Sequence, residues 1–200
     1  MNSSRRLFLQ GTALALVGCL ASPLALTAAE GKAMIALMPK VVAAKAVVFD
    51  LRGYPGEAGF GVLEHLTTKS QTSLRMEIPR VVMPDRVASV LTGVPPWKIN
   101  PRQPHIDASR TRVVFLSGNG SISYCESVLS VVESLKLGTI IGQRTAGTNG
   151  DINPFTLPGG YLAGFTGLRV TKDDGRTHHG VGVVPSVEVT VTVAGIKAGR

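Results

Sequence analysis

Val113-Val114-Phe115-Leu116-Ser117-Gly118-Asn119-Gly120-Ser121-Ile122-Ser123-Tyr124-Cys125-Glu126 sets an apolar run, a glycine-bearing turn and the opening of a helical pattern in direct succession. The run Arg112–Leu116 reads as a buried strand. Ser123–Leu135 reads as a helix whose stripe is Tyr124, Val128, Val131, Val132 and Leu135. A serine at such a strand-to-helix turn stands where backbone N–H groups point outward and the helix dipole is positive, a place suited to an oxyanion or a nucleophile. The same residues also make a capping box, with Ser123 at N-cap and Glu126 three residues on, and that account carries no chemistry. Both accounts stand at this point.

The pattern extends outward on both sides. Upstream, Ala33–Lys45 has helical periodicity, and Ala46–Leu51 is an apolar run interrupted only by Asp50. Arg52-Gly53-Tyr54-Pro55-Gly56 is turn chemistry, with Asp50 placed to hold it by hydrogen bonding, and a second helix begins at Gly61–Leu66. Downstream, Thr139–Gly142 is a short strand, Thr145–Asp151 a glycine-rich loop, and Gly160–Phe165 and Leu168–Thr171 further strands. Asp173-Asp174-Gly175 is a hairpin turn and Val187–Val193 a last strand. Between the two parts, residues 67–110 are broken by six prolines, with short strands expected at Arg80–Met83 and Ser89–Leu91. The β-α-β order predicts an α/β fold.

The 200 residues suit one domain after a leader. The net charge of +8 is spread over scattered Lys and Arg without interleaved aromatics, which argues against a nucleic-acid surface. Residues 1–29 read as an export signal. Ser4-Arg5-Arg6-Leu7-Phe8-Leu9 has the twin-arginine pattern, Leu14–Leu26 is apolar, and Thr27-Ala28-Ala29 offers a cleavage site. Leu16-Val17-Gly18-Cys19 also fits a lipobox, which would tether the protein to a membrane through Cys19. The expected address is the bacterial periplasm or the extracellular space, reached by twin-arginine export, with a membrane-anchored lipoprotein as the other outcome. Loss of the leader leaves Cys125 alone, and its neighbours mark it as a small buried side chain.

The succession Asp50–Gly56, Ser123–Glu126, Gly142–Gly147, Leu157-Pro158-Gly159-Gly160, Asp174-Gly175 and His179-Gly180-Val181-Gly182-Val183-Val184-Pro185 resembles that of the S41 serine peptidases. These are the tail-specific or C-terminal processing proteases and their tricorn-core relatives. The likeness runs from about Lys45 to Arg200. It implies a ClpP/crotonase-like spiral of β-α-β units, a single domain over residues 30–200. It implies Ser123 as nucleophile, since the family serine stands three residues before a glutamate as Ser123 stands before Glu126. It also implies an oxyanion hole made by the backbone N–H of Tyr124 and of Gly56 or Gly53, where a side chain would keep the backbone from the carbonyl oxygen.

The chain departs from the family in places. Thr148 stands where the processing branch has a lysine base. The upstream segment that supplies a histidine in the tricorn-like branch, and the PDZ module, are not recognisable, so the core is expected to be truncated at both ends. Near the place of that branch's glutamate stand His178 and His179, of which His179 is the first choice to serve Ser123. Adjacent residues on a strand face opposite ways, so the pair is not expected to hold a metal, and no cofactor is implied. His65 is expected on a helix surface, and His105 is without visible partners. The resemblance implies a serine endopeptidase acting on envelope polypeptides. The alternative is an inactive S41-like binding or scaffold protein, or a truncated gene product.

Overall fold

The computed structural model describes residues 24–27, 31–55, 58–81 and 89–197. The first part of the chain forms β1 (Leu24–Thr27), α1 (Gly31–Ala43), β2 (Ala46–Asp50) and α2 (Ala58–Glu64). The middle adds β3 (Gln71–Thr72), β4 (Arg75–Val81), β5 (Ser89–Val94) and β6 (Lys98–Ile99). Then come β7 (Arg112–Ser117), α3 (Tyr124–Leu135), β8 (Thr139–Gly142), β9 (Ile152–Thr156), β10 (Leu162–Thr166), β11 (Arg169–Thr171), β12 (Val187–Glu188) and α4 (Val193–Lys197).

Five strands make one parallel sheet in the order β1-β2-β7-β8-β12. Its centre is built from the two valine- and phenylalanine-rich runs, whose β-branched and aromatic side chains suit a pleated, buried surface. Phe49 of β2 is the register partner of Phe115 of β7, and their rings stack with centroids 5.1 Å apart. Against them pack Met38 and Val41 of α1, Leu63 of α2, and Val128, Leu129 and Val132 of α3, all buried. The α/β expectation holds.

The proline-broken middle is more ordered than its sequence suggests. β4 begins at Arg75, five residues before the expected strand, and pairs antiparallel with β5 from Met76↔Val94 to Val81↔Ser89. β11 joins on the other edge of β4, so the excursion closes onto a late segment of the chain. Pro79 is tolerated within β4, where it stands opposite Leu91. Three further expectations are corrected. β9, absent from the sequence reading, pairs antiparallel with β10 as a two-stranded ribbon. The last strand is only Val187–Glu188, and Val193–Lys197 is helical. His65 is buried rather than on a surface, with Nδ1 2.8 Å from the Pro104 carbonyl.

The expected leader ends at residue 29, and β1 lies on its side of that boundary, paired with Val47–Asp50 of β2. Residues 1–23, including the paired arginines and Cys19, lie outside the described residues. Among the described residues no helix is long and apolar enough to cross a membrane.

Candidate active site

The loops leaving the carboxyl ends of β2, β7 and β8 meet, as ligand-binding loops of open parallel sheets do. Leu51 N–H donates to the Leu116 carbonyl at 3.0 Å. The Leu51 carbonyl in turn accepts from the Ser121 hydroxyl at 2.7 Å and the Cys125 thiol at 2.8 Å. Ser121 Oγ also accepts from Gly118 N–H at 3.1 Å, so one buried hydroxyl fastens the first loop to the second. Asp50 holds its own turn as expected: its carboxylate accepts from Arg52 N–H at 3.1 Å, Nε at 2.9 Å and Nη2 at 2.6 Å. The third loop joins through Ala146 N–H to the Ser121 carbonyl at 3.2 Å and Ser123 N–H to the Thr148 carbonyl at 2.9 Å. Cys125 is fully buried, and burial pushes its thiol up to about 12, so it is a packing residue as expected.

Ser123 stands at this junction with φ 53° and ψ −121°, a positive φ that an L-residue adopts only under constraint. The capping-box account is corrected here. The Ser123 side chain makes no cap hydrogen bond, and the Glu126 carboxylate turns to the third loop, leaving Ser123 N–H to Thr148. Backbone bonds alone start α3, with Glu126 N–H and Ser127 N–H donating to the Ser123 carbonyl at 2.8 and 3.1 Å. The freed hydroxyl is half-buried in the wall of a pocket of about 180 Å³. Tyr54, Met76, Trp97, Tyr124 and Asn149–Asp151 complete its lining.

Tyr124 is the first residue of α3, so its N–H has no intrahelical acceptor. Gly53 is exposed, with open space where a Cβ would stand. Its turn runs beside the second loop, since a Cβ on Gly120 would lie 3.6 Å from the Arg52 carbonyl oxygen. The structure thus brings Ser123, Tyr124 and the Gly53 turn into one neighbourhood. Gly56 lies outside the described residues.

Glu126 and the histidines take other positions. Glu126 is fully buried and accepts from the Thr145 hydroxyl at 2.6 Å, Gly147 N–H at 2.6 Å and Thr148 N–H at 2.9 Å. Burial pushes its carboxyl up, but the contacts of His178, Thr145 and Gly147 prevail and hold it below the usual carboxylate range. It clamps the loop whose Thr148 carbonyl receives Ser123 N–H. His178 is fully buried, which removes the surface reading. Its Nε2 is 3.4 Å from Glu126 Oε1, an ion-pair distance without hydrogen-bond geometry. His179 Nε2 lies 3.1 Å from Val170 N and 2.9 Å from the Leu168 carbonyl. A neutral ring nitrogen can serve only one of these, but in either tautomer the ring is tied to the backbone of Leu168 or Val170. Both residues follow the Thr171↔Thr177 bridge, His179 in a turn, and neither lies on a strand. Neither is hydrogen-bonded to Ser123 among the described residues.

Sequence reading missed Ser121, Thr145 and Asn149. Thr145 Oγ1 both donates to Glu126 and accepts from Val183 N–H at 2.8 Å. The Asn149 amide donates to the Ser127 hydroxyl at 2.9 Å. Short polar residues in glycine loops carry no mark of such roles, because each partner is far away in sequence.

A family model described as peptidase family S41 matches residues 22–189. No curated protein sequence matches the chain. Among solved structures, a candidate peptidase from Parabacteroides merdae is 18% identical, with TM-score 0.66 over 90% of this chain and 54% of its own. Mature CPAF complexed with lactacystin is 14% identical, with TM-score 0.66 over 84% of this chain and 44% of its own. The photosystem II D1 C-terminal processing protease is 22% identical, with TM-score 0.54 over 80% of this chain and 38% of its own. At these identities the likeness is one of fold. The chain spans about half the length of these structures, or less.

Proposed function

The chain belongs to peptidase family S41, and on that premise we propose that it is a serine peptidase whose nucleophile is Ser123. One observation carries the reading. Ser123 is held at positive φ with its hydroxyl unused in capping, at the head of a helix and in the wall of a pocket. Strain of this kind persists only where surrounding contacts impose it, and here they are the Thr148 carbonyl on its N–H and the start of α3 on its carbonyl. In the reaction, Ser123 Oγ attacks a peptide carbonyl and its proton passes to a base. The developing oxyanion is met by Tyr124 N–H and an amide of the Gly53–Gly56 turn. Collapse of the tetrahedral species expels the amine, and water then hydrolyses the acyl-enzyme. Polypeptides of the bacterial envelope are the proposed substrates, reached by twin-arginine export through Arg5 and Arg6.

A second reading is favoured by the same site. Thr148, standing where the resemblance places a lysine, gives its backbone to the site, and neither histidine is hydrogen-bonded to Ser123 among the described residues. A serine hydroxyl without a base is a weak nucleophile, so the alternative is a protein that binds polypeptides without turning them over. Catalytic hydrogen bonds are often long before substrate arrives, so the two readings are separated by reaction rather than by geometry. A serine-directed fluorophosphonate is expected to label the wild-type protein and not Ser123→Ala. Failure to label the wild type selects the binding reading. Changing Arg5 and Arg6 to lysine is expected to keep the protein in the cytoplasm, and unchanged export would remove the twin-arginine route.

A further inference from the structure

We propose that the pocket beside Ser123 receives a single aromatic or long apolar side chain, that of the substrate residue whose carbonyl is attacked, and that Trp97 and Tyr54 set this preference. The proposal rests on Ser123 being the nucleophile and says which polypeptide positions it would choose.

Size comes first. At about 180 Å³ the pocket is smaller than the ~300–1,000 Å³ that enclose a whole drug-sized ligand, and it suits one side chain. Its walls decide the chemistry. The Tyr124 ring centroid is 6.2 Å from that of Tyr54 and 6.0 Å from that of Trp97. The polar end of Tyr124 is already occupied, since its hydroxyl accepts from Phe60 N–H at 3.0 Å. Behind it the Phe60 ring packs edge-on to Tyr124 at 5.0 Å and tilted against Trp97 at 5.3 Å, which fixes both orientations. Met76, buried in the small cluster with Leu74 and Val170, adds an adaptable thioether to the wall.

Exposure supplies the driving force. Trp97 is 47% and Tyr54 59% exposed, so two large rings stand in water next to the hydroxyl. A side chain lodged against them removes apolar surface from water on both partners. The polar residues of the lining offer little competition. The Asn149 side chain is engaged by Ser127 and Gly150, and among the described lining residues the one charge is the carboxylate of Asp151. With no Lys or Arg among the described lining residues, an acidic side chain would enter uncompensated, beside a like charge.

The test uses the full chain and a set of peptidyl diphenyl phosphonates that differ only in the residue at the reactive phosphorus: Phe, Leu, Ala, Lys or Asp. A small fluorophosphonate without a side chain is run in parallel. The Phe and Leu probes are expected to react at least about tenfold faster than the Ala probe, with Asp slowest. Trp97→Ala is expected to compress the Phe-to-Ala ratio to within about threefold, and Trp97→Phe to restore most of it. Fluorophosphonate labelling of Ser123 with phosphonate rates indifferent to the side chain, or fastest with Lys, would overturn the pocket and leave the nucleophile standing. A Phe-to-Ala ratio that survives Trp97→Ala would do the same to the role of Trp97. If the fluorophosphonate leaves Ser123 unlabelled, the nucleophile reading falls and the pocket with it.

Discussion

The junction at the carboxyl ends of β2, β7 and β8 and the β9–β10 ribbon are both joined to the rest of the chain by glycine loops, yet they are held in opposite ways. At the junction, buried polar side chains tie the loops together: Ser121 bridges the first two, and Glu126 takes three donors from the third. In the ribbon, every residue of β9 is exposed, and so are Phe165 and Leu162 of β10. The ribbon is held mainly by its own ladder and one Phe155–Phe165 contact at 6.2 Å. Apolar composition therefore does not mark the part of this molecule where the loops are tied together. The ties are hydrogen bonds of buried side chains, each of which would be costly to break in a low-dielectric interior.

That contrast is easiest to break at Glu126. Glu126→Ala leaves the Thr145 hydroxyl proton, Gly147 N–H and Thr148 N–H without their acceptor, and should cost about 3–5 kcal/mol in urea denaturation, with loss of Ser123 labelling. A cost below about 1 kcal/mol would show that the clamp is not what holds the third loop.

Gly147→Ala comes next. At φ 71°, with a Cβ that would lie 2.9 Å from Gly180 N, alanine must displace the loop, and about 2 kcal/mol of thermal stability should go with it. Because Thr148 follows directly, labelling of Ser123 should fall more than stability does. Equal falls would show that the loop does not set the geometry of Ser123.

A gentler probe is pH. The folded Glu126 carboxyl is held below its unfolded value, so the ionised form contributes stability that is complete above pH ~4.3. This contribution disappears as pH falls through the lower folded-state value. Acid titration of Glu126→Gln should show a shallower loss across that window than wild type, and identical curves would contradict the direction of the shift.

The smallest effect is expected on the ribbon. Tyr161→Ser, at a residue 73% exposed, should change the melting free energy by less than ~0.5 kcal/mol. A larger loss would mean that the ribbon contributes to the core after all.

How legible these regions were depends on where the partners of each residue lie. β2, β7, α3 and β8 were readable because burial on a parallel sheet writes continuous apolar runs, and burial on a helix writes a stripe. β4 was read late and short, since Pro79 argues against a strand unless one knows that an edge or local pairing tolerates it. β9 was missed because Ile152-Asn153-Pro154-Phe155-Thr156 has neither a buried face nor a clean alternation. At the site, Ser123 was marked by its turn and by its spacing to Glu126. The capping box that this spacing suggests does not form: the carboxylate serves residues 19 to 22 positions away. The histidines were chosen for their chemistry, and burial against Glu126 or β11 sent them elsewhere.

By itself the sequence determined the β-α-β order, the burial of Cys125 and the placing of a serine at the head of α3. All of these are written in local periodicity and turn residues. Only the tertiary structure decided that Glu126 faces the third loop, that His178 is sealed beside it, and that Trp97, Met76 and Tyr54 come together at Ser123. Those contacts join residues tens of positions apart, and their energies come from desolvation and hydrogen-bond satisfaction, which exist only once the chain has closed around them.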